Sequence, residues 1–110
     1  MTHHAVILDG AKADFREIKK YVKKQFGDMV WVGVNQEFKD AIKHIATNPM
    51  LGTPMEELAG LGFDSFRKTL VRQTRVVYEF DSQQLIVHMF IHTKKEFKTH
   101  LAHRLLAPMW

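Results

Sequence analysis

One glycine separates two helical patterns, and that juxtaposition constrains the fold more than any other feature of the chain. From Ala11 to Phe26 the apolar residues Phe15, Ile18, Val22 and Phe26 recur at spacings of three and four, while Lys12, Arg16, Lys19, Lys20, Lys23 and Lys24 occupy the remaining sides. Gly27 stops this amphipathic helix. Asp28 stands where it can cap a second helix, whose stripe of Trp31, Val34, Phe38, Ala41, Ile42 and Ile45 runs on until Asn48-Pro49. Two helices joined by so short a turn are expected to pack as an antiparallel hairpin.

The flanking segments carry short apolar, β-branched runs bounded by turn residues instead. Ala5 to Asp9 (AVILD) is β-branched, closes on Asp9-Gly10 and predicts a first strand. Between Met50 and Asp64 lie Gly52, Pro54, Gly60 and Gly62, which predict a loop. Three strands are expected to follow as a meander, Phe66 to Val71, Arg75 to Phe80 and Leu85 to Ile91, turned at QT and DSQQ. On the last of these, Leu85, Val87, Met89 and Ile91 should face one side and Ile86, His88, Phe90 and His92 the other. The stretch FIHTKKEFKTHLAHRLL, Phe90 to Leu106, then leaves the strand for a short, basic C-terminal helix. The expected fold is α+β: an N-terminal strand, a two-helix hairpin packed on an antiparallel sheet containing the meander, and the C-terminal helix.

At 110 residues, 45% hydrophobic and 25% charged, the whole chain, 1–110, is expected to form a single domain with one core. No run reaches the length of a membrane span and the N-terminus has no signal-peptide pattern, so the expectation is a cytoplasmic protein without membrane contact. Cysteine is absent, which excludes disulfides, thiol nucleophiles and cysteine zinc sites. The formal charge of +4 favours acidic partners, nucleic acid or protein.

The order of elements, together with the words AKADFREIKKYVKKQFG, NPMLGTPMEEL and TRVVYEFDSQQLIVHMFIHTKKEF, resembles the ParE/RelE superfamily of bacterial type II toxin-antitoxin toxins over nearly the whole chain. The resemblance implies a toxin neutralised by a cognate antitoxin that folds around it in a heteromeric complex. It leaves two mechanisms open, because RelE-like members cut messenger RNA in the ribosome and ParE-like members poison DNA gyrase on a shared fold.

In the nuclease reading, cleavage at the 2′-hydroxyl needs a base, an acid and cations around the developing charge. The resemblance places Arg75 and a basic residue, Lys94 or Lys95 with Lys95 preferred, among those cations, with Arg67, Lys68 or Arg72 as further ones, and His92 can serve as acid or base because an imidazole ordinarily titrates near neutrality. The chain departs from many RelE-like enzymes in lacking a C-terminal tyrosine; its tyrosines are Tyr21 and Tyr78, and Phe97 and His100 are the nearest substitutes. The pattern from His92 to Leu105 looks more like ParE-like toxins, so gyrase is the preferred target. In that reading Arg67, Lys68, Arg72, Lys94, Lys95, Lys98, His100, His103 and Arg104 form the contact surface, seated by Leu101, Leu105 and Leu106, and neither cofactor nor metal is required.

Blander readings stand beside these. The basic segment can be a solvated helix whose leucines complete the core, and Arg75 can simply pair with Glu79. Trp31 reads as core. His88 and His92 are about 13 Å apart along a strand, too far to share an ion. A non-toxic nucleic-acid-binding domain is a third reading, although the chain lacks the aromatic-basic signature of an RNA-binding sheet.

Overall fold

The computed structural model describes residues 2–56, 60 and 65–94. Strand β1 (His4–Ile7) leads into helices α1 (Asp9–Phe26) and α2 (Asp28–Thr47). A 3-10 turn, Pro49–Leu51, and a two-residue strand β2 (Thr53–Pro54) follow, and β3 (Arg67–Val71), β4 (Thr74–Phe80) and β5 (Gln84–His92) form the meander. The sheet order is β1-β5-β4-β3-β2. The architecture is α+β, two helices on a five-stranded, mostly antiparallel sheet; the expected C-terminal helix lies outside the described residues.

Several local expectations change. Asp9 and Gly10 do not close the first strand but form the first turn of α1, with Lys12 N–H bonded to Leu8 O at 2.9 Å. Gly27, at φ 91°, is the only residue between the helices. Asp28 therefore does not act as a cap: it is already helical, and its carboxylate lies in the positive first turn, 3.8 Å from Lys23 Nζ. Thr53 and Pro54, expected in a loop, pair with Lys68 and Arg67 as a short edge strand, a place proline tolerates because its missing N–H faces away from the ladder. β1 runs parallel to β5, pairing His4–Ile7 with Gln84–Val87, so the sheet is mixed.

The helix hairpin and one sheet face share a core of Ala11, Trp31, Val34, Phe38 and Ile45 against Val76, Tyr78, Leu85, Val87 and Phe90. Phe15 joins Trp31, Phe38 and Phe90 with ring centroids 5.3 Å apart in each pair. Phe26 departs from its expected place in the stripe. It is 60% exposed beside Tyr21 at the hairpin apex, where Met29 is exposed as well.

The alternation on β5 breaks at His88. Val77 pairs with Met89 and Tyr78 with Val87, so His88 is an extra residue, a β-bulge. Leu85 and Val87 face the helices as one set; beyond the bulge that duty passes to Phe90, while Met89 and Ile91 join Met55, Phe66 and Val77 in a second buried cluster on the opposite face. An inserted residue reverses the parity of every later side chain, which is why the two-residue pattern misassigned Met89 and Ile91.

Candidate functional site

Tyr78 organises one end of the sheet. Its hydroxyl donates to Pro49 O at 2.6 Å and accepts from Gly52 N–H at 3.0 Å, deep in the core. Burial pushes the phenol above its ordinary range, against the opposing pull of the Gly52 N–H and the Arg67 guanidinium, so it stays protonated and donating at neutral pH. Gly52 is required here: a Cβ would collide with Tyr78 Oη and come within 2.7 Å of Lys68 O. Arg67 completes the clamp, donating from Nε and Nη2 to Gly52 O at 3.2 and 2.6 Å and from Nη2 to Met50 O at 3.4 Å. Arg67 thus holds the segment before β2 in place, and Lys68 stands beside it opposite Thr53.

At the other end, about 16 Å along β3, a different group of candidates meets. Arg72 adopts a positive φ of 55° in the β3–β4 turn and donates from Nε and Nη2 to Glu37 Oε2 on α2 at 3.0 and 2.7 Å. Glu37 raises the Arg72 pKa, chiefly through that side-chain hydrogen bond. Thr93 N–H bonds Gln73 O at 2.9 Å, which brings the exit from β5 against the same turn. There, Lys94 N–H donates to His92 Nδ1 at 3.1 Å, so the imidazole holds the exit turn through one nitrogen and keeps only Nε2 for other work. Lys94 is exposed.

Arg75 and His92 are near neighbours in register, since Arg75 pairs with Ile91 and Thr74 with His92. The pleat sends them apart. Arg75 follows the parity of Val77 and Ile91, on the face opposite the helices, whereas His92 follows that of Val76 and Phe90, on the helix side. Glu79, the expected partner of Arg75, has its two oxygens engaged elsewhere: Oε1 lies 2.7 Å from His88 Nε2, and Oε2 accepts from Ser65 Oγ at 2.9 Å. His88 also packs on the Phe66 ring, 4.8 Å between centroids.

The structure therefore gathers Arg72, Arg75, His92 and Lys94 at one end of the sheet and leaves Arg67 and Lys68 at the other. Lys95, Phe97, Lys98, His100, Leu101, His103, Arg104, Leu105, Leu106 and Trp110 lie outside the described residues.

Sequence reasoning missed a groove between the hairpin and β5. A cavity of about 320 Å³ is lined by Ile7, Phe15, Phe38, Ile42 and Phe90, with Lys12, Arg16 and Lys39 at its polar margin. Phe15, Phe38 and Ile42 were legible as core stripe and Lys12 and Arg16 as its cationic flank. What the pattern did not contain is that the two helices leave this stretch of the stripe open. Among the described residues, no helix is long and apolar enough to cross a membrane.

Comparison with known proteins accords with this arrangement. No curated protein matches the chain. Among solved structures, a chain described as the chromosomal ParDE TA system from P. aeruginosa superposes with a TM-score of 0.68 at 13% identity, over 84% of this chain and 98% of that one, a likeness of fold. The sequence model of the ParE toxin of type II toxin-antitoxin systems, parDE, matches residues 6–97. With a family match over most of its length and the same two-helix, five-strand architecture, the chain belongs to the ParE toxin family of type II toxin-antitoxin systems.

Proposed function

We propose that this ParE-family toxin arrests growth by binding DNA gyrase and stabilising its cleaved complex with DNA, with no bond-breaking chemistry of its own. The observation that carries this reading is the divergence of Arg75 and His92 onto opposite sheet faces. A general acid or base must reach the reacting proton within about 3 Å while a cation faces the same phosphate. Arg67 and Arg72, the other candidate cations, are engaged by loop carbonyls and by Glu37. A binding edge makes no such demand: Lys94 at the end of the sheet and the basic segment from Lys95 to Arg104 that follows it in sequence supply charge.

The groove supports the antitoxin partner. Its apolar floor and its margin of Lys12, Arg16 and Lys39 suit one or two apolar side chains of an acidic segment that folds as it docks.

The test compares cleavage-complex formation by purified gyrase with cleavage of ribosome-programmed messenger RNA, as the full-length chain is titrated into each. Gyrase-linked DNA breaks with intact message are expected. Cut message with unaffected gyrase overturns the proposal and returns Arg75, His92 and Lys95 to a catalytic role.

A further inference from the structure

Helix α1 carries a line of cations that runs well past the groove. Lys12, Arg16, Lys19, Lys20 and Lys23 fall at i, i+4, i+7, i+8 and i+11, which keeps them within about 100° of one another around the helix axis. All five are exposed, while Phe15, Ile18 and Val22 take the side packed on the core. Asp14 and Glu17 stand off this line, and Asp9 precedes it by one turn on the same side. Asp14 accepts from Phe90 N–H at 3.1 Å on the sheet side, and Glu17 lies on the flank. Among the described residues, the one ion pair on the line is the exposed contact of Lys23 with Asp28.

Such a line is unfavourable for the isolated helix. Lys12 and Arg16, Arg16 and Lys20, and Lys19 and Lys23 are like charges at i, i+4, the spacing at which they repel most directly. An anion laid along the helix relieves all three pairs at once. We propose that this face of α1 is a binding site for the phosphate backbone of duplex DNA. From Lys12 to Lys23 the helix rises about 16 Å, the axial length over which one DNA strand presents about five phosphates. Four lysines and one arginine on flexible stems suit contact with phosphate in any sequence and offer no base readout. An acidic protein partner would be expected to bury an apolar or aromatic anchor within the contact. Lys12 and Arg16 border the groove that would take such an anchor from the antitoxin, but none lies among Lys19, Lys20 and Lys23: Tyr21 is on another side of the helix and Phe26 comes after Lys23, as the last helical residue. The proposal concerns this surface alone and does not depend on gyrase being the target.

The experiment measures anisotropy of a labelled duplex of about 30 base pairs, of arbitrary sequence, with the full-length chain between about 50 and 200 mM salt. The variants are the triple Lys19→Gln, Lys20→Gln, Lys23→Gln and a charge-matched control, Lys39→Gln, Lys43→Gln, Lys68→Gln, each checked for unchanged helicity by circular dichroism. The expected result is salt-dependent binding whose logarithmic slope falls by about 3 in the α1 triple and is largely kept in the control. Equal weakening by the two triples, or an unchanged slope in the α1 triple, overturns the proposal. Labelled polyglutamate of matched charge that binds more tightly than the duplex, and loses that binding in the α1 triple, also overturns it by assigning the line to an acidic protein.

Discussion

Arg75 and His92 stand one register step apart on neighbouring strands and point to opposite faces of the sheet. The relationship follows from the bulge at His88, which changes the parity of the end of β5 relative to its beginning. Positioned acid–base groups contribute about 10²- to 10⁴-fold to a rate, so a catalytic His92 cannot be replaced cheaply. His92→Asn, whose side-chain oxygen can still accept from Lys94 N–H, should retain growth arrest within about threefold. A loss of a hundredfold or more in a titrated-expression assay would show chemistry at His92 and sink the binding-edge reading.

Removing the Tyr78 hydroxyl tests the clamp on the loop. Tyr78→Phe leaves Gly52 N–H and Pro49 O buried without that partner, at a cost of about 1–3 kcal/mol. Denaturant unfolding should register the loss as a lower midpoint with little change in slope. Gly52→Ala should cost more, because the added methyl meets both the Tyr78 side chain and the Lys68 carbonyl. A neutral Gly52→Ala would mean that the 49–52 segment moves away from β3 without penalty.

Acid should weaken the β4–β5 turn in a defined direction. The Gln84 and Gln83 N–H groups hold the Asp81 carboxyl below its ordinary range, with bonds of 2.7 and 2.8 Å to Oδ1. A carboxyl depressed in the folded state contributes stability above its unfolded pKa of about 4 and loses it as pH falls through the folded value. The stability gap between the parent and Asp81→Ala should be constant near neutrality and narrow below about pH 4. A gap that widens on acidification contradicts the assignment.

Charge at the groove margin should govern encounter with the antitoxin more than retention. Lys12→Glu combined with Lys39→Glu should slow association about tenfold or more at low salt and shift dissociation less, as rim charges do. Surface plasmon resonance with the cognate antitoxin separates the two rates. An unchanged association rate would place the antitoxin elsewhere on the toxin.

The helices, the shortness of their link, the meander and the family resemblance were all legible in the sequence. Each rests on short-range periodicity or on words read in order, and the structure keeps them with boundary shifts of one or two residues at most elements. Tertiary structure decided what depends on partners far along the chain. Arg67 reads as a free cation until Gly52 and Met50 are folded against it, and Arg72 until Glu37, 35 residues away, meets it. Thr53 and Pro54 become a strand only because β3 lies beside them, and the Phe90 N–H finds Asp14 where β1 no longer pairs with β5. The bulge at His88 is of the same kind. Hydrophobic alternation records which residues avoid water, but both faces of this sheet are buried along β5, so both parities are apolar and the register that separates them is set only when β4 pairs.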